Sequence, residues 1–201
     1  MQPDFKYNAA PRRQQTGFRS FASRTRSEWV ILCLLAACIA ITFARPVLAA
    51  DTGAKTATSV VSSGSWTNFT VGYLNGSEDL RAENTDLNNY GVVSTFGFGV
   101  PAGAQIDGIQ VDVEGSDSNN NKTVNYEVAL SGNSGTGWTT AKAESFTGKA
   151  DATDPLGGPS EDWGWAWGAA GFSDANFRLR IYRTGGDFSL RVDLIQVTVY
   201  Y

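Results

Sequence analysis

The sequence predicts an all-β protein: an antiparallel, jelly-roll-like β-sandwich of about seven to nine strands behind an N-terminal signal helix. Three observations carry that prediction. After residue 50 the apolar residues recur at every second position in short runs, as in Ile109, Val111 and Val113, or Val124, Tyr126, Val128 and Leu130. That period belongs to a half-buried strand and not to a helix. The runs are separated by turn-forming clusters such as Asn75-Gly76, Gly115 to Lys122, and Thr184-Gly185-Gly186-Asp187. The chain also repeats itself: Ile106–Val113 and Val192–Val199 share five of eight residues. Their offset is too long for a solenoid period. Two equivalent long strands side by side in one sheet account for it.

The elements follow in chain order. Residues 1–28 are polar and basic. Trp29 to Phe43 is an uncharged run of fifteen, and Ala44-Arg45-Pro46-Val47-Leu48-Ala49-Ala50 follows, ending in small residues. This three-part pattern predicts a secretory signal over 1–50, cut after Ala49 or Ala50. Two alternatives stay open. Leu35-Ala36-Ala37-Cys38 matches a lipobox, with Cys38 as the lipidated residue, although apolar residues continue past it to Phe43. The run could also remain as a signal anchor, although it is short of the ~20 residues of a membrane span. All three readings put residues 51–201 outside the cytoplasm.

Residues 51–64 read as a linker or first strand, and 65–201 as the sandwich domain. Residues 51–63 could also leave the domain and pair with a neighbouring copy, which would build a filament. Leu80–Glu83 is a short strand candidate, and Asp86–Tyr90 is a loop. In Val92–Val100 the alternation of Phe96 and Phe98 with Gly97 and Gly99 predicts a strand in which a large side chain covers the glycines. Pro101-Ala102-Gly103 turns into the first repeated strand. Its phase slips at Gly108, and that of its echo at Asp193-Leu194, so each predicts a β-bulge. The alternation up to Leu130 predicts a 109–130 hairpin. Residues 131–162 read as mostly loop, anchored by Trp138 and Phe146. Ser173–Asn176 reads as a one-turn helix or a tight turn. Phe177, Leu179 and Ile181 alternate with Arg178, Arg180 and Arg183 in a strand with one basic side.

Composition excludes several chemistries. There is no histidine, and Cys33 and Cys38 are the only cysteines. A Ser-His-Asp or Cys-His nucleophile cannot be built, and a Cys/His metal centre has no ligands. Residues 51–201 hold nine Lys/Arg against eighteen Asp/Glu, a formal charge of −9. That balance disfavours nucleic acid, whose phosphates need clustered cations.

From Phe96 to the C-terminus the pattern resembles uncharacterised β-sandwich modules of bacterial secreted and surface proteins and of phage tail-associated proteins. The residues that carry the resemblance are Phe96-Gly97-Phe98, Pro101–Ala104, Ile106–Ile109, Asp162-Trp163-Gly164 and Asp193–Tyr201. The resemblance implies a sandwich fold and carries over no activity. A looser resemblance is to jelly-roll carbohydrate-binding modules.

Trp163, Trp165 and Trp167 are the ligand-binding candidates. If their segment is extended they share one face and form a platform for sugar rings; if buried, they fill the core. Asp117-Ser118-Asn119-Asn120-Asn121 has oxygens at alternate positions, as a calcium loop does, but lacks the Gly and Glu of an EF-hand and reads as a solvated turn. Calcium held by carboxylates such as Asp86, Asp151 or Asp154 stays open, and spacing does not locate it. Asp107 and Asp193 sit at the two predicted bends, where each satisfies backbone donors of a bulge. Arg178, Arg180 and Arg191 read as cross-strand ion pairs on a solvated face. No pair of acids is singled out for glycosidase chemistry.

The sequence therefore reads as a non-enzymatic, exported module with a structural or adhesive role at the bacterial cell surface. It needs no cofactor, and its partners are glycans, surface polymers or further copies of itself. Membrane contact enters only if the N-terminal segment is retained or Cys38 is lipidated. The alternative is a carbohydrate-binding module using the three tryptophans; a polysaccharide-acting enzyme ranks below both.

Overall fold

A computed structural model describes residues 50–76 and 80–201. Residues 1–49, with the signal segment and Cys38, lie outside the described residues. Ten strands occur among the described residues: β1 (Lys55–Thr56), β2 (Ser59–Ser62), β3 (Ala82–Asn84), β4 (Gly91–Ser94), β5 (Gly108–Asp117), β6 (Thr123–Ser131), β7 (Lys142–Thr147), β8 (Ala152–Gly158), β9 (Arg178–Gly185) and β10 (Leu190–Tyr200). They form two antiparallel sheets. One runs β1-β10-β5-β8, with β3 also paired to β10; the other runs β2-β4-β9-β6-β7. The helical pieces are two 3-10 turns, Val71–Tyr73 and Ala169–Phe172. No helix among the described residues is long and apolar enough to cross a membrane.

The predicted pair of equivalent strands is the centre of the first sheet. Ile109, Val111 and Val113 of β5 stand opposite Val199, Val197 and Ile195 of β10. All six are buried, so one row of β-branched residues faces the core from both strands. β6 and β9 supply the other side, with Val124, Tyr126, Val128, Leu130, Leu179 and Ile181 all buried in the same cluster.

The predicted bulge at Asp193 is present: the β5–β10 register shifts between Val192 and Leu194. The one expected at Gly108 is not, because β5 begins there and Ile106 lies outside it. A Cβ at Gly108 would lie 2.3 Å from the Gly158 carbonyl oxygen, which is why this position is glycine.

Four other expectations are corrected. β5 and β6 are not a hairpin: β5 pairs with β10 and β8, whereas β6 pairs with β9 and β7. The turn between them crosses from one sheet to the other. It is tied to a distant loop, since Asp117 N–H donates to the Gly148 carbonyl and Gly148 N–H to that of Lys122. Residues 131–162 contain two strands, β7 and β8. Both are edge strands, and their sequences carry little apolar alternation; Pro155 is tolerated in β8 because its free edge needs no N–H. Residues 95–100 are not a strand. Thr95, Gly97 and Gly99 have φ of 60°, 63° and 68°, and nothing lies within 4 Å of where a Cβ at either glycine would be. These glycines provide the left-handed backbone that turns Phe96 and Phe98 inward, where the two rings stack 5.2 Å apart. Finally, 51–63 stays in its own domain. β1 pairs with β10 and β2 with β4, which removes the motive for a donated strand.

Candidate functional site

The Trp segment does not form a three-ring platform. Residues 162–168 turn instead of extending, and Trp163 itself has φ +58°. Asp162 organises the turn. Its carbonyl accepts the Trp165 N–H at 3.2 Å and the Trp167 indole N–H at 2.7 Å, and its carboxylate accepts the Gly164 N–H at 2.8 Å. The three rings therefore diverge. Trp163 is 2% exposed, and its indole N–H donates to the Ile109 carbonyl at 2.9 Å. It is a core residue and leaves the ligand-binding set. Trp165 and Trp167 are half-buried, 6.1 Å apart and tilted by 43°. Trp167 also packs on Phe172 and Phe177, at 5.0 and 6.0 Å.

Gly97 and Gly99, expected to lie under a large side chain, are uncovered; tryptophan rings approach other glycines instead. β6 ends at Ser131, and the loop after it is Gly132-Asn133-Ser134-Gly135-Thr136-Gly137-Trp138. A Cβ at Gly132 would lie 2.9 Å from the Trp167 ring, one at Gly137 2.9 Å from the Trp165 ring, and one at Gly135 3.3 Å from the Trp138 ring. Each ring lies against backbone that glycine leaves bare. The loop is braced by side chains: Ser131 Oγ accepts the Gly135 N–H at 2.9 Å, and Asn133 Oδ1 accepts the Gly137 N–H at 2.8 Å. Three indoles are thus held on a fixed loop frame, with Asn133, Ser134, Thr136 and Asp162 exposed around them.

This aromatic surface continues onto the outer face of the second sheet. The Arg180 guanidinium lies 4.6 Å from the Trp138 ring centroid, 5.0 Å from Tyr90 and 5.7 Å from Tyr182. Tyr182 donates its hydroxyl to Glu127, and burial followed by that contact pushes its pKa up to about 12. Sequence reading missed this group because Trp138 looks isolated in a glycine-rich loop and Tyr90 lies in another loop. The signal available was the outward parity of Arg180 and Tyr182 on one strand. The predicted basic face does not form: Arg191 is in the other sheet, paired with Glu83 at 3.5 Å, Arg183 is buried and donates to the Thr85 and Gly186 carbonyls, and Arg178 donates to the Asp174 and Phe177 carbonyls.

A shallow recess of about 430 Å³ adjoins the Trp segment, lined by Val100, Ala102, Gly103, Gly168, Ala169 and Ala170.

The acidic candidates are dispersed. Asp86 accepts the Ser65 hydroxyl, Asp151 pairs with Arg81, and Asp154 accepts the Tyr126 hydroxyl at 3.0 Å; burial first, then the Asp154 carboxylate, raises that phenol's pKa. Asp117 is buried instead of solvated, and its Oδ1 accepts the Asn119 N–H at 2.6 Å. Among the described residues no three Asp or Glu are grouped to hold a metal. Asp107 is exposed and precedes β5. Asp193 is 1% exposed, with Oδ1 unpartnered, and desolvation, then Asp151 and Glu114, push its pKa up to about 6.

Asp193 carries a pH prediction. A carboxyl whose folded pKa is raised adds stability below its unfolded value, near 4, and loses that contribution as pH rises through about 6. Asp193→Asn is expected to raise stability at pH 7.5 by ~1–2 kcal/mol and to change it little at pH 4. Urea unfolding of both proteins at the two pH values checks this. An equal effect at both would show that the carboxyl does not titrate in this window.

No protein-family model matches the chain, and no curated protein does. Among solved structures it is similar to "CBM32 of AlyQ in complex with 4,5-unsaturated mannuronic acid", at a TM-score of 0.44 and 11% identity, over 70% of this chain and 96% of that one. Identity and overlap at that level leave the site to be read from this chain's own residues.

Proposed function

We propose that the chain is a non-catalytic carbohydrate-binding module whose ligand face is the Trp138, Trp165 and Trp167 surface. The observation that carries this is the mounting of the half-buried rings. Each is backed by a glycine of one braced loop, so little ordering is left to be done on binding. Pyranose rings present apolar C–H faces that stack on indole, while their hydroxyls need polar partners nearby. Asn133, Thr136 and Asp162 are exposed beside the rings for that purpose. The 43° tilt between Trp165 and Trp167 favours a single bent or twisted glycan chain over a flat crystalline surface. The same reading places the module outside the cytoplasm, on the basic, apolar and small-residue order of residues 1–50.

The test is a glycan array probed with the purified chain, with and without calcium, followed by titration calorimetry on the best ligand. Saturable binding accompanied by a change in tryptophan fluorescence is the expected result. No binding under either condition would overturn the proposal and leave a structural or adhesive role for the domain.

A further inference from the structure

Arg180 is set apart from the other arginines of the domain. Arg81 pairs with Asp151, Arg191 with Glu83, Arg178 donates to two carbonyls, and Arg183 donates to the carbonyls of Thr85 and Gly186. The Arg180 side chain has no hydrogen bond or ion pair to any described residue; its Nε is buried without a partner, as are those of Arg81 and Arg183. The acid across the strand pair, Glu127 opposite Tyr182, is taken up by the Tyr182 hydroxyl. Tyr90, Trp138 and Tyr182 surround the guanidinium at 4.6–5.7 Å. Aromatic rings attract a guanidinium without taking up its N–H donors. Arg180 remains partly exposed, and Trp138 joins it to the Gly137 and Trp165 end of the surface.

From this we infer that the site selects a sugar bearing a carboxylate, which Arg180 receives while a neighbouring sugar ring stacks on tryptophan. The inference rests on the glycan-binding reading and gives it a substrate class. A planar guanidinium is matched to the two oxygens of a carboxylate. The formal charge of −9 over residues 51–201 repels a polyanion. The ligand is therefore a largely neutral glycan with an isolated uronic acid, not a polyuronate.

The experiment compares oligosaccharides ending in one glucuronic or galacturonic acid with the same oligosaccharides after carboxyl reduction, using the full chain and calorimetry. The acidic form is expected to bind about tenfold tighter at low salt, with the margin shrinking as salt rises. Arg180→Gln should abolish the preference, so that the acidic and the reduced forms bind the variant equally. Arg180→Lys keeps the charge and loses the planar fork, so it should lose most of the preference, and it serves if the Gln variant does not fold. Equal binding of the two forms by wild type, or a preference that survives in Arg180→Gln, overturns the inference and leaves glycan binding intact. Binding of neither form, together with a blank array, overturns both.

Discussion

Trp163→Ala is expected to destabilise the domain by ~3–5 kcal/mol. The ring is 2% exposed and lies across the start of β5, where its indole N–H donates to the Ile109 carbonyl. It also covers Gly157, where a Cβ would come within 2.7 Å of the indole nitrogen. Truncation leaves a cavity at the β5–β8 edge and an unpaired buried carbonyl, and neither is repaired by local shifts in a close-packed core. Lys142, whose ammonium sits 5.2 Å over the ring, loses that contact as well. Trp163→Phe keeps most of the apolar volume and loses the hydrogen bond, so a smaller cost of ~1–2 kcal/mol is expected. Chemical denaturation of the three proteins checks the order. An Ala variant within 1 kcal/mol of wild type would mean that the ring is not part of the core.

Trp165→Ala should do the reverse. Its ring is half-buried on the glycine loop and makes no side-chain hydrogen bond among those found in the described residues, so its removal is expected to cost ~1 kcal/mol or less of stability. In the proposed function its outer face carries a sugar. Loss of a central stacking ring should reduce glycan affinity by ~2 kcal/mol, about thirtyfold, chiefly through faster dissociation. Calorimetry and thermal melts on one preparation separate the two effects. Unchanged affinity with intact folding would remove Trp165 from the ligand face. Two tryptophans two residues apart are thus predicted to divide stability from binding.

The β5–β10 pair was legible from the letters because the repeat copies both the apolar alternation and its partner row, ending as Ile109 opposite Val199. The bulge at Asp193 was legible for the same reason, since a slip in phase is a local property of the strand. The paired fate of β5 and β6 was not. Alternation says which residues face a core, and it reads identically whether the next strand lies in the same sheet or in the facing one. The edge strands β7 and β8 escaped notice because an edge demands few buried side chains, so Ala152–Gly158 carries a proline and two glycines without penalty.

The site divides in the same way. A large side chain was expected over Gly97 and Gly99, and none lies there. Which ring meets which glycine depended on two loops distant in sequence, and Gly132, Gly135 and Gly137 took the place expected for Gly97 and Gly99. Trp163, Trp165 and Trp167 were singled out by their spacing, yet the hydrogen bonds to Asp162 send their rings to different places. Arg180 shows the limit most plainly. Its parity on β9 was readable, while the Tyr90 and Trp138 rings beside it come from loops before β4 and after β6. Turn chemistry and alternation act between near neighbours in the chain and so are written in it directly. Sheet membership, ring placement and the surroundings of a guanidinium are set by pairings between distant segments, which exist only once the two sheets have closed on their core.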